Sequence, residues 1–242
     1  MIVSMQSGQT EYLTPVTAQQ VAMDMGKEDA ILAKVDGKVV DLSYVLVGDC
    51  RLELLSLADS DALSVYQHTA AHLLGQAVKA VFPTAKLVEA PAGKDGFHYD
   101  VAFAADPDEG ALLRVAAEMK SILKADLAIT REEMSRTSAI KVMRRYGEYY
   151  KIQIIEALPK GTRVCIYRFG DFEDLTQGPH LSRSGQVVDF RLTSMHRVGN
   201  QGHVWRIEGA ALTEKVSEST EPLRGKARSY GVRSPMRKRN NM

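Results

Sequence analysis

The sequence predicts an α+β protein built on mainly antiparallel sheets packed by helices. Three observations carry that prediction. Asp36-Gly37 separates two strand-like runs in AILAKVDGKVVDL, the strongest short hairpin signal. YQHTAAHLLGQAVKAVFP, from Tyr66 to Pro83, repeats its apolar residues at the helical period of about 3.6. Beyond it, helical stretches give way to three strand-like runs, RVCIYRFG, GQVVDFRLTSMHRV and HVWRIEGAAL, an order that suits hairpin-linked strands better than a doubly wound parallel sheet.

Bulk properties bound the function. A chain of 242 residues with 45% apolar and 25% charged residues, and a formal charge of +1, can bury more than one core and is not a disordered polyampholyte. No run approaches the roughly 20 apolar residues that cross a bilayer. The start, MIVSMQSGQTEYL, lacks the basic and long apolar stretches of a signal peptide. Cys50 and Cys165 are too few for a disulfide framework and form no CxxC pair. A cytoplasmic setting without a membrane partner is therefore expected. From Leu223 onward the chain carries Arg224, Lys226, Arg228, Arg233, Arg237, Lys238 and Arg239 with no acid, so residues 216–242 read as a basic tail.

Each element follows from its residues. MIVSMQSGQTEYL alternates around a glycine turn and reads as a hairpin. TAQQVAMDMG is a helix with Thr17 as N-cap, Val21, Ala22 and Met25 on its apolar face and Gly26 as its stop. The Asp36-Gly37 hairpin and a strand in DCRLELLSL complete residues 1–60, an order compatible with a β-grasp, ubiquitin-like domain among other small α+β units. Residues 61–215 continue with the 66–83 helix and strands in LVEAPA and GFHYDVAF. DPDEGALLRVAAEMKSILKAD reads as a helix with Asp106 as N-cap and Pro107 at its first position. SAIKVMRRYG is helical, EYYKIQIIEAL runs to the Leu158-Pro159 stop, and the three strands close the unit.

Chemistry concentrates at two places. His68 and His72 lie four apart in the 66–83 helix, away from the stripe of Tyr66, Ala70, Leu73, Leu74, Ala77 and Val81, and so look toward solvent or a cleft. Such a pair fits a solvated helix face, half of a metal site or half of an active site. GDFEDLTQGPHLSRSG reads as a loop offering Asp171, Glu173, Asp174, Thr176 and His180 beside Gly178-Pro179. Lys151 sits among Tyr149, Tyr150, Ile152 and Ile154, which suggests partial burial and a role in orienting substrate or, if desolvated, as a base. His98 reads as a strand residue, Trp205 as a core anchor, Cys165 as buried and inert, and His196 and His203 as surface residues.

HTAAHLLGQAVKAVFP, GFHYDV, YYKIQIIEALP and YRFGDFEDLTQGPH resemble, in order and spacing, the motifs of the threonyl-tRNA synthetase editing domain, and residues 1–60 resemble the TGS domain that precedes it there. The resemblance covers roughly residues 1–212. It implies a TGS-like β-grasp domain over 1–60 and an editing domain over 61–215 that hydrolyses seryl-tRNA mischarged for threonine, in trans or as the editing part of a synthetase. It implies catalytic roles for His68, His72, Lys151 and His180, and contacts to the 3′-terminal seryl-adenosine from Asp174, Thr176, Gly178, Pro179 and Tyr99. The family has cysteine where this chain has Thr176 and arginine where it has Gln177. No cofactor is expected. The alternatives are a zinc-dependent deacylase holding its ion on His68, His72 and His180, and an inactive module that binds tRNA or nucleotide for regulation.

Overall fold

Strand β1 (Ile2–Met5) folds back on β2 (Gly8–Glu11) and runs parallel to the later strand of residues 50–55. The computed structural model describes residues 1–91, 93, 95–199 and 203–215, so the basic residues from Arg224 to Arg239 lie outside the described part. After β3 (Val16–Thr17), helix α1 (Ala18–Asp24) starts where the Thr17 side chain accepts from Gln20 N–H, and Gly26 at φ +63° ends it. Strands β4 (Leu32–Val35) and β5 (Lys38–Val40) meet at Asp36 and Gly37, both at positive φ, as a two-residue hairpin with a primed turn requires. Then come β6 (Val45–Leu46), paired with β3, and β7 (Cys50–Leu55). The resulting sheet runs β2-β1-β7-β4-β5, with α1 closing Val3, Val21, Leu42, Leu46 and Leu52 into a core.

The chain continues through α2 (Ser60–Val81), β8 (Lys86–Glu89), β9 (Phe97–Ala102), α3 (Ala111–Ala125) and β10 (Ile129–Ser135). Helices α4 (Arg136–Arg145) and α5 (Tyr149–Ala157) follow, then β11 (Arg163–Phe169), β12 (Phe172–Leu175), β13 (Asp189–Arg197) and β14 (Val204–Leu212). Two antiparallel sheets result, β13-β14-β9-β8 and β10-β11-β12. The fold is α+β with mainly antiparallel pairing, as the sequence predicts.

Helix α2 organises the larger part. Tyr66, Leu73, Leu74 and Ala77 pack into the main core with Tyr99 and Val101 of β9 and Val115 and Met119 of α3. Its opposite side is covered too, because Gln76 Nε2 donates to Phe169 O of β11 at 3.1 Å. A helix covered on both sides is buried nearly all round, and His72 is accordingly 2% exposed. Four readings need correction. Helix α3 starts at Ala111 rather than near Asp106, because the Asp106 carboxylate is engaged by Arg197, His203 and Trp205. β10 is a strand without a strand signal in the sequence, because its residues from Thr130 to Glu133 are all exposed and give no apolar alternation. β12 is a strand inside the segment read as loop. Cys165 is half-buried beside Arg131 and Glu133 rather than sealed in a core. No helix of the described residues is long and apolar enough to cross a membrane.

Candidate functional site

Four elements bring the candidate residues together. His68, Thr69 and His72 come from α2, Tyr99 from β9, Lys151 from the first turn of α5, and Asp174 from β12. Thr176, Gly178, Pro179 and His180 follow β12 in the chain. Lys151 and Ile155 are the buried residues of α5, one turn apart, so the apolar partner turns the lysine inward. Asp174 lies opposite Tyr167 in the β11–β12 ladder, which sets the two side chains on one face of that sheet. Gly75 of α2 is needed for Tyr99 to come in: a Cβ there would stand 2.6 Å from Tyr99 Cε2.

Asp174 is the hub. Tyr99 Oη donates to its Oδ2 at 2.6 Å and His72 Nδ1 at 2.7 Å, while Leu175 N–H donates to Oδ1 at 2.8 Å. Lys151 Nζ lies 3.3 Å from Oδ1 and donates to Tyr99 Oη at 3.0 Å. Burial pushes the Asp174 carboxyl up, but Lys151, His72 and Tyr99 together outweigh it and hold the group below the usual carboxylate range. Burial and the neighbouring Asp174 charge drive the Tyr99 phenol well above its ordinary value.

This anchor orients the imidazoles. His72 Nδ1–H donates to Asp174, and its Nε2 lies 3.0 Å from His68 Nε2, so one of these two nitrogens carries the proton between them. Thr69 Oγ1 spends its proton on Val65 O and accepts from Leu181 N–H, so the His180 Nδ1 contact at 3.2 Å is a donation from the ring. His180 Nε2 then accepts from Thr176 Oγ1 at 3.1 Å. Burial, followed by repulsion from His72, lowers His68 to about 3. Burial, with His72 and His68, drives His180 well below its ordinary value. Both rings are neutral at physiological pH.

A cavity of about 470 Å³ opens onto His68, His72, Lys151 and Thr176, with Val88, Ile154, Leu158, Val164 and Leu175 as an apolar wall. Gln177 and Cys165 also line it. Gly178 and Pro179 do not; they face two other cavities, one with His68 and Val65 and one with Asp41 and Tyr167. Gly178 has φ +66°, and a Cβ there would stand 2.0 Å from Tyr167 Oη, so no other residue fits unstrained. The remaining candidates fall elsewhere. His98 lines a separate cavity with Phe97 and Glu208. His203 and Trp205 meet Asp106, and Glu173 is paired with Arg145 and Arg168.

Three further contributors carry no local signal in the sequence: Thr69, Tyr167 and Asp41. Thr69 is next to His68 on the helix, a position that ring geometry makes useful and composition does not mark. Tyr167, 1% exposed, packs edge-to-face with His180, the ring centroids 4.6 Å apart. Asp41 reaches the site from more than a hundred residues away, which no local pattern reveals.

The three ring nitrogens of His68, His72 and His180 lie within 4.8 Å of one another, so the described residues hold a donor set for a metal ion. A tetrahedral zinc site spaces its nitrogens by about 3.3 Å, so the set fits such an ion with small ring adjustments.

No family model matches the chain. Among known proteins, it carries a region related to threonyl-tRNA synthetases that covers about four fifths of its length. The threonine–tRNA ligase of Hahella chejuensis is 37% identical over 199 residues, 81% of this chain and 30% of the ligase. That of Legionella pneumophila (strain Corby) is 38% identical over 211 residues, 84% and 33%, and that of Acetivibrio thermocellus 38% over 213 residues, 85% and 34%. The chain thus spans about a third of the length of the curated relatives it matches.

Proposed function

We propose that this chain is an aminoacyl-tRNA deacylase that hydrolyses seryl-tRNA mischarged for threonine, with residues 1–60 as a TGS-like domain and 61–215 as the editing domain. The relationship to threonine–tRNA ligases supports tRNA as the partner. The observation that carries the reading is the buried network of Asp174, Lys151, Tyr99 and three histidines, of which Lys151, His68 and His72 open into one cavity.

An aminoacyl ester is already activated, so the site has to place a water against the carbonyl and steady the oxyanion. Lys151 has three N–H donors; Tyr99 Oη and Asp174 take two, and the third serves a substrate oxygen in the cavity. Neutral His68 faces the cavity, and its unprotonated ring nitrogen serves as acceptor for the water. The leaving group is the ribose oxygen of the terminal adenosine, and the apolar wall from Val88 to Leu175 suits its base. Serine and threonine differ by one methyl, which a pocket distinguishes by about 1–3 kcal/mol.

The test is hydrolysis of seryl- and threonyl-tRNA for threonine by the purified chain, with and without a chelator. Selective loss of the seryl ester, unchanged by chelation, supports the reading. A zinc-dependent deacylase is the second reading, favoured by the converging nitrogens of His68, His72 and His180, and activity lost to a chelator and restored by zinc would select it. No hydrolysis of either ester would leave a binding or regulatory module. The basic residues from Arg224 to Arg239 would contribute nonspecific tRNA affinity. Deleting residues 222–242 is expected to weaken tRNA binding and flatten its salt dependence; an unchanged salt slope would refute that role.

A further inference from the structure

We propose that Asp41, at the end of β5 in the N-terminal sheet, is a positioning residue for His180, so that the candidate site is completed across the junction between that sheet and the rest of the chain. The proposal deepens the deacylase reading and rests on it for its kinetic part.

Val40 and Leu42 are buried in the N-terminal core at 7% and 4% exposure, so alternation along the backbone turns Asp41 between them the other way. Its backbone is fixed, because Tyr44 N–H donates to Asp41 O and the N–H groups at the start of α1 donate to Leu42 O and Tyr44 O. From this support the carboxylate takes two donors of the larger part. His180 N–H donates to Oδ1 at 2.6 Å, and Tyr167 Oη approaches Oδ1 at 3.1 Å and Oδ2 at 2.8 Å.

Both donors bear on the same imidazole. The His180 bond fixes the backbone that carries the ring, while Thr69 Oγ1 holds Leu181 N–H and the ring Nδ1. The Tyr167 bond fixes the phenol whose ring edge walls His180 and whose Oη fills the space a Cβ at Gly178 would need. Without Asp41, His180 N–H and Tyr167 Oη lose a charged acceptor, and the Thr176–His180 contact loses its backbone reference. Asp41 does not line the cavity that His68 and Lys151 face, so its removal acts on the placement of His180 rather than on substrate contacts. Losing a hydrogen bond to a charged acceptor shifts the equilibrium between placed and displaced His180 by about 10- to 100-fold.

The test uses the full chain with Asp41→Ala and Asp41→Asn, read by seryl-tRNA deacylation and by long-range 1H–15N spectra of the histidine rings. Expected for Asp41→Ala is a fall in kcat of about 10- to 100-fold with KM within about twofold, and His180 ring signals displaced from the single Nδ1–H tautomer. Asp41→Asn keeps a neutral acceptor for His180 N–H and is expected to recover much of both, and it decides the matter if Asp41→Ala does not fold. Unchanged His180 signals in a folded variant overturn the proposal, whether or not kcat falls. If the unaltered chain hydrolyses neither ester, the deacylase reading fails, and the ring spectra still decide whether Asp41 positions His180.

Discussion

Replacing Asp174 by Asn tests the heart of the site. Oδ2 accepts from Tyr99 Oη and His72 Nδ1, and Oδ1 from Leu175 N–H with Lys151 beside it. Whichever way the amide turns, its NH2 faces two donors, and Lys151, 4% exposed at its side chain, loses its counter-charge. Removing one member of a buried ion pair costs about 3–5 kcal/mol. For a chain of this size each kcal/mol lowers Tm by about 2–4 °C, so a drop of about 6–20 °C is expected. Removing both charges in Asp174→Asn with Lys151→Met relieves the unpaired lysine, so the double variant should recover at least about 1.5 kcal/mol relative to additivity. Urea denaturation of the four proteins at neutral pH measures this. Because Asp174 titrates below an ordinary carboxyl, its stabilisation is present above the unfolded value and lost as pH falls through the folded one. The gap between the chain and Asp174→Asn is therefore widest near neutrality and closes only in strong acid. A loss under about 1 kcal/mol, or strict additivity with Lys151→Met, would refute the ion-pair reasoning.

Other expectations follow from single contacts. Gly178→Ala combines φ +66° with a Cβ 2.0 Å from Tyr167 Oη, so it should lower Tm and displace His180; a crystal structure with an unmoved Tyr167 would count against it. Thr176→Val keeps the shape but removes the donor to His180 Nε2, and should cut deacylation about tenfold with Thr176→Ser restoring it. The folded value of about 3 for His68 lies below its ordinary 6.5, so the unfolded chain binds the proton first. Stability should be full above pH 6.5 and fall toward pH 3, by up to about 1.4 kcal/mol per pH unit for this residue. A His68→Gln variant that kept the same slope across that window would refute the assignment.

Local chemistry made much of the fold legible. The Asp36-Gly37 hairpin, the Thr17 cap and the Gly26 stop all appear where turn and cap residues put them. Failures came where tertiary contacts overrode local rules. Asp106 looked like an N-cap, but its carboxylate is taken by Arg197, His203 and Trp205, and the helix starts after Gly110. β12 was hidden because Glu173 and Asp174 are charged, yet both are buried, one against Arg145 and Arg168 and the other against Lys151 and His72. Among the candidate residues, the i, i+4 histidines were visible from helical period alone. The burial of His72 was not, since a second sheet covers the polar face of α2. Asp41 was out of reach for the same reason: its partners lie far along the chain, and nothing in VVDLS marks an aspartate that looks outward.

The arrangement explains why a costly ion pair sits beneath three histidine rings. Lys151 and Asp174 add little net stability as a pair, because desolvation offsets their attraction. What the carboxylate does is set direction. It accepts Nδ1–H of His72 and so fixes that ring with its Nε2 3.0 Å from His68 Nε2. A second chain runs from Thr176 through His180 to Thr69, and Thr176 Oγ1 also lies 3.4 Å from His68 Nε2. Charging His68 would put a second proton on that ring, close to His72 and in surroundings too buried to solvate it, which is why the ring stays neutral. Lys151 then stands as the buried positive charge of the cavity, with Asp174 at its back and one N–H left over. A site built this way receives negative charge on one side and a proton on the other without changing its own net charge first, and hydrolysis of an activated ester asks for both.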